Sequence, residues 1–304
     1  MRIRLGTRQS PLALWQAEHI AARLQGLGVG VELVRIVTSG DVKSGPLGEG
    51  GGVGLFTKEI QRALLDRRCD LAVHSLKDLP TEEIPGLTLA GVPVREEVGD
   101  GLIAREGRTL AELPRGARVG TGSARRVAQL RMLRPDLTIL DIRGNVDSRL
   151  KKLDAGDYDA IVLALAGLKR LGWDGRVTER LPLEHFLPAV GQAALGLETR
   201  VDDCDVIDVV ETISHLPSHH AVLAERAMLR ALRGGCLAPV AALAVTSSQD
   251  RLSLKARVLA IDGTSRVETA VEGRFDRPQE IGIQAAKLLA IGGAREMIEV
   301  ARRS

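Results

Sequence analysis

Aromatic residues are nearly absent from this chain, with three Phe, two Trp and one Tyr in 304 residues. Its cores must therefore be aliphatic, and a sequence-tolerant single-strand nucleic-acid surface, which needs stacking platforms, is disfavoured. Cysteine is scarce too. Cys69, Cys204 and Cys236 are odd in number and widely spaced, which argues against a disulfide framework or a thiolate metal site. Cys69 and Cys204 read as structural. No apolar run approaches membrane-spanning length, and Met1 to Gly6 lacks the continuous apolar core of a signal peptide, so a reducing cytoplasm is the expected location. The formal charge of +3 is too small for a polybasic nucleic-acid binder. No G-x-x-x-x-G-K-[ST] phosphate loop occurs. Gly50-Gly51-Gly52-Val53-Gly54 lacks the Lys that would follow, and fits a mobile gate within the glycine-rich stretch 38–54. His215, His219 and His220 cluster, but Pro217 should interrupt any helix aligning them. They read as exposed turn residues, and no metal site is expected.

Arginine is abundant instead. Only 8 of the 42 basic residues are Lys, so 34 are Arg. Compositional bias explains most of them, but not their placement. In Val119-Gly120-Thr121-Gly122-Ser123-Ala124-Arg125-Arg126 a strand ends in small residues and the next helix opens on two arginines. A second unit follows, with Arg143 and Arg149 flanking Gly144-Asn145. Helix N-termini attract anions, and guanidinium forks suit carboxylate or phosphate. The competing reading is a solvated basic helix face.

The coarse pattern is α/β. Strands at 2–5, 31–37 and 71–74 alternate with helices opening at Ser10-Pro11 and Phe56, which indicates a largely parallel sheet. After a Pro/Gly-punctuated linker at 93–101 a second such pattern runs through strands 118–120, 138–141 and 160–164, with helices 124–134 and 146–153. Residues 187–191 form another candidate hinge. The remainder is α+β: a helix near 218–232, three strands within 241–273, and two terminal helices.

Two further segments carry chemistry. His74-Ser75-Leu76-Lys77-Asp78 follows a buried strand, where open α/β sheets place ligands. Asp78 suits stabilisation of a cation or acceptance of N–H groups, and Lys77 suits an anion; a solvated local ion pair is the competing reading. Gly234-Gly235-Cys236 places a thiol behind two permissive residues, as a nucleophile or as a small buried hydrophobe.

Taken together, the chain resembles the porphobilinogen deaminase (hydroxymethylbilane synthase) family. The resemblance is carried by RLGTRQSPLALWQAE at 4–18, GLFTKEIQRALL at 54–65, DLAVHSLKDLP at 70–80 and VGTGSARR at 119–126. It continues through IRGNVDSRLKKLDAGDYDAIVLALAGLKRLGW at 142–173, LPAVGQAALGLE at 187–198 and AERAMLRALRGGCLAPVA at 224–241. It implies a transferase that joins four porphobilinogen molecules head to tail, releasing ammonia and a linear tetrapyrrole. It implies a dipyrromethane cofactor, held by a thioether to Cys236, and Asp78 as the catalytic carboxylate. Cofactor contacts would come from Ser75, Lys77, Thr121, Ser123, Arg125, Arg126, Arg143 and Gly144. Substrate contacts would come from Arg8, Ser10, Gln16, Arg149 and Arg170. Each pyrrole ring carries an acetate and a propionate, which gives the arginines their purpose.

The resemblance further implies two α/β domains like type II periplasmic binding proteins flanking a cleft, plus a small α+β C-terminal domain. The expected boundaries are 1–93 with 194–213, 99–187, and 216–304, in a cytoplasmic monomer that binds neither nucleic acid nor membrane. The sequence departs from the family pattern at Glu49 and Val53, where lysines are frequent, and at Gly122, where serine is usual. It departs again at Ala193, where glycine is usual, and at Arg233, where an acid is common.

Overall fold

The computed structural model describes residues 1–38, 57–235 and 238–303. Cys236 and the glycine-rich stretch beyond Thr38, with Glu49 and Val53, lie outside the described residues. The chain divides into two compact units, Met1–Glu96 with Ala193–His219 and Glu97–Gln192 with His220–Ser304.

The first unit is built on a five-stranded sheet. Strands β1 (Arg2–Thr7), β2 (Gly30–Arg35) and β3 (Leu71–Ser75) run parallel, with β1 between the other two. Helix α1 (Pro11–Gln25) starts where the sequence predicts it: the Ser10 side chain accepts from Ala13 N, and Pro11 occupies the first turn. Its apolar stripe, Ala17, Ile20, Ala21 and Leu24, buries against Ile3, Leu5, Leu71 and Val73. Each large aliphatic side chain so buried contributes about 1.5–3 kcal/mol. Helix α2 (Lys58–Leu65) supplies a second, smaller cluster through Ile60, Ala63 and Leu64.

The sheet is mixed, where the strand–helix alternation predicts a largely parallel one. After β4 (Leu87–Gly91), the late strand β10 (Leu195–Arg200) inserts antiparallel to both β3 and β4. Its burial is complete despite Glu198, Thr199 and Arg200, because each of these side chains is hydrogen-bonded to its surroundings. Arg200, for example, bonds the carbonyls of Leu64 and Cys69 and the carboxylate of Asp70. Helix α6 (Cys204–Ile213) covers this part of the sheet through Val206, Val210 and Ile213. Cys69 is buried, and burial pushes its thiol up to about 11, as suits a packing residue. Cys204 is instead exposed at the start of α6, which corrects its reading as structural.

The second unit holds two sheets. One follows the order β7-β6-β8-β5-β9. In it β6 (Arg118–Gly120) is parallel to β7 (Thr138–Leu140) and β8 (Ala160–Ala164), while β5 (Asp100–Ala104) is antiparallel to β8 and to β9 (Glu179–Arg180). Helices α3 (Ala124–Leu133), α4 (Val146–Asp154) and α5 (Leu165–Arg170) connect its strands. The other sheet is an antiparallel meander of β11 (Val240–Ser248), β12 (Arg251–Leu259) and β13 (Arg266–Arg274). Helices α7 (Leu216–Ala231), α8 (Pro278–Ile291) and α9 (Ala294–Arg303) bury Ala224, Met228, Ile281, Leu289 and Ile298 in its core.

The histidine cluster is not in a turn. Pro217 sits in the first turn of α7, where a missing N–H costs nothing, so the helix runs on through His219 and His220. The His215 ring pairs with Ser218 Oγ at 2.8 Å, and His220 with the Phe275 carbonyl at 2.8 Å.

Candidate functional site

In the first unit the predicted residues gather at the carboxyl end of β3. The strand ends in Ser75 and tightens into a 3-10 turn, Leu76–Asp78. Leu76 anchors this turn: its side chain is buried and its N–H donates to the Ala194 carbonyl at 3.0 Å. Gly196 on the neighbouring strand makes room, since a Cβ there would stand 2.7 Å from Leu76 Cδ1. With Leu76 pinned inward, Asp78 is exposed and Lys77 half-buried. Gln16, buried on α1, hydrogen-bonds Ser75 Oγ through its Nε2 at 2.9 Å, so α1 and β3 are tied at this end. Ser10 is the helix cap of α1, and Arg8 lies half-buried just after β1. Behind the turn, the Glu198 carboxylate holds Gln61 Nε2 and the His74 ring, each at 3.0 Å.

In the second unit the loops after β6 and β7 lie side by side. Thr121 is buried and its N–H donates to the Leu140 carbonyl at 2.9 Å. Thr121 Oγ1 accepts from Ser123 N at 3.3 Å, at the entrance to α3. Gly122 fits closely here: a Cβ would stand 3.0 Å from Asp141 Oδ1 and 3.1 Å from the Ile142 carbonyl. Glycine at this position therefore allows the two loops to approach. Arg143 is half-buried and donates through Nε to Asp141 at 2.8 Å. Its two terminal nitrogens make no hydrogen bond among the described residues. Gly144 adopts φ +113, a conformation that L side chains rarely adopt, and its carbonyl accepts from Arg149 Nε at 2.7 Å. Arg170 closes α5, half-buried.

Arg125 and Arg126 do not form a solvated basic helix face. They are 3% and 5% exposed and converge on Asp100, which is 0% exposed. Arg125 Nη2 donates to Asp100 Oδ2 at 2.7 Å and Arg126 Nη2 to Oδ1 at 2.6 Å. The remaining Nη1 donors go to the carbonyls of Leu187 and Val162. Arg126 Nε also donates to Oδ1, at 3.1 Å, and Gln192 Nε2 adds a fourth donor to Asp100 at 3.0 Å. The Phe186 ring lies 5.8 Å from the Arg125 guanidinium, within cation–π range. Sequence reasoning placed Asp100 in a linker. The available signal was an acid opening an apolar strand between two glycines, Gly99-Asp100-Gly101.

Comparison with known proteins finds one family over nearly the whole chain. The family profile described as "Porphobilinogen deaminase, dipyromethane cofactor binding domain" matches residues 3–208, and "Porphobilinogen deaminase, C-terminal domain" matches 219–290. Porphobilinogen deaminase of Desulforudis audaxviator is 49% identical over 297 residues, covering 97% of this chain and 96% of its own. That of Geobacter sulfurreducens is 47% identical over 306 residues, covering 99% and 96%. Among solved structures, lipoprotein Tp32 from Treponema pallidum aligns with a TM-score of 0.46 at 14% identity, over 70% of this chain and 90% of that one.

Proposed function

The chain belongs to the porphobilinogen deaminase family, and we propose how its residues divide that activity. The enzyme is a transferase, a hydroxymethylbilane synthase of tetrapyrrole biosynthesis, acting on porphobilinogen with a dipyrromethane cofactor. When bound, the cofactor supplies the primer to which pyrrole units are added. Cys236 is its thioether anchor by its place in Gly234-Gly235-Cys236; that residue lies outside the described ones.

Asp78 is the catalytic carboxylate. Porphobilinogen loses its aminomethyl nitrogen as ammonia, and positive charge develops on the carbon left behind. A fixed carboxylate stabilises that charge and accepts pyrrole N–H groups. The observation that carries this assignment is geometric: Leu76 and Leu79 are buried on either side, and Asp78 between them is exposed at the carboxyl end of β3. Ser75 and Gln16 fix the base of the turn, and Lys77 supplies a cation beside it.

The acetates and propionates fall to the arginines. Arg143 and Arg149 flank Gly144 with their Nε atoms in orienting bonds, and guanidinium groups so oriented suit carboxylates. Arg8 and Arg170 are assigned the same task on other loops, with Ser10, Thr121 and Ser123 as hydroxyl donors. The dipyrromethane fits this donor set. Arg125 Nε is buried without an acceptor, and one carboxylate, Asp100, stands against two guanidinia. An added carboxylate answers both deficits.

The enzyme is placed in the cytoplasm as a monomer that binds no nucleic acid. Among the described residues no helix is long and apolar enough to cross a membrane. Incubation with porphobilinogen, oxidation and a porphyrin assay test the assignment of Asp78. Asp78→Ala should lower turnover by about a hundredfold or more while the protein still folds. Near wild-type turnover would refute the role.

A further inference from the structure

Asp100 has no part in the reaction as assigned above, yet it is a fully enclosed charge of the second unit, 0% exposed. Gly99 and Gly101 on either side of it let Leu165 approach: a Cβ at these positions would stand 3.1 and 2.7 Å from the Leu165 methyls. Burial alone would raise the Asp100 pKa. The attraction of Arg125 and then Arg126, with their hydrogen bonds, overcomes burial and holds the carboxyl well below the usual range. Asp100 is thus ionised, and it is the only carboxylate hydrogen-bonded to either guanidinium among the described residues. Arg126 uses Nε, Nη1 and Nη2 on Asp100 and Val162, whereas Arg125 keeps a buried Nε–H without an acceptor.

We propose that Asp100 is the positioning residue of this arginine pair, fixing both forks so that one open donor and one excess positive charge are preset for a cofactor carboxylate. Without Asp100 the two guanidinia repel each other, and ordering them falls to the incoming anion, which weakens its binding. Gln192 supports the arrangement by donating to Asp100 and to the Val98 and Gly99 carbonyls. The inference rests on the assignment of Arg125 and Arg126 to the cofactor.

The full-length apoprotein, produced without porphobilinogen, is titrated with porphobilinogen, and the fraction carrying a covalent adduct is read by intact mass. Folding is followed separately by circular dichroism. Asp100→Asn keeps the shape and removes the charge. It should raise the porphobilinogen concentration for half-maximal loading about tenfold in protein that remains folded. A merely structural role would lower the folded fraction and leave that concentration unchanged, which would overturn the inference. Should Asp100→Asn fail to fold, Gln192→Leu decides: a threefold rise supports the inference and no change overturns it. Wild type that never acquires an adduct would overturn the cofactor assignment itself, and this inference with it.

Discussion

The His74 ring lies 3.0 Å from the Glu198 carboxylate, both of them buried, one turn of chain behind Asp78. Glu198 also holds Gln61 of α2, so one side chain ties β3, β10 and α2 together. Removing it leaves a buried amide and a buried imidazole unsatisfied. Glu198→Ala should cost about 2–4 kcal/mol of stability, read as a lowered urea midpoint. A midpoint unchanged from wild type would show that the network carries no load.

Acid sensitivity follows from Asp100 and Asp70. Burial alone would raise both carboxyls, but Arg125 and Arg126 at Asp100, and hydrogen bonds from Arg4 and Arg200 at Asp70, hold them below their ordinary range. A carboxyl depressed in the folded state contributes stability that is present above its unfolded pKa, about 4, and lost as pH falls. Urea midpoints should therefore be flat near neutrality and drop below about pH 4. In Asp100→Asn the drop should be shallower. A midpoint that rises on acidification would contradict this.

Gly282 gives a prediction opposite to helix propensity. It lies within α8, where alanine is favoured by about 1 kcal/mol, yet a Cβ there would stand 2.2 Å from the Ala224 carbonyl and 2.8 Å from the Ala227 Cβ. The backbones of α7 and α8 meet at this point. Gly282→Ala should destabilise by about 1–3 kcal/mol in a thermal melt. Stabilisation would mean that the two helices do not pack this closely.

Ala193 is the converse case. Its φ is +72, which costs a side-chain-bearing residue about 1–2 kcal/mol. Ala193→Gly should raise the melting temperature by a few degrees. A lowered one would show that the buried methyl outweighs the strain.

Much of this was legible in the sequence. Ser10-Pro11 and the stripe through Ile20 and Leu24 placed α1 because capping and periodicity are local. The turn at Asp78 was legible for the same reason. Strand β10 was not, because Leu-Gly-Leu-Glu-Thr-Arg reads as half-polar and its burial depends on partners as distant as Gln61 and Asp70. Arg125 and Arg126 looked like free anion ligands because helix N-termini attract anions. Their pairing with Asp100, some 25 residues away, is tertiary and leaves no periodic trace. Pro217 misled the reading of α7, since a helix's first turn tolerates what its interior does not.

The measurement that most directly tests the central claim is the intact mass of freshly purified, active wild type, with the modified residue located by peptide mapping. The chain should carry a covalent two-pyrrole adduct on Cys236, absent from Cys236→Ser, which should also lose turnover. Active wild type with an unmodified mass, or an adduct on Cys69 or Cys204 instead, would contradict the account.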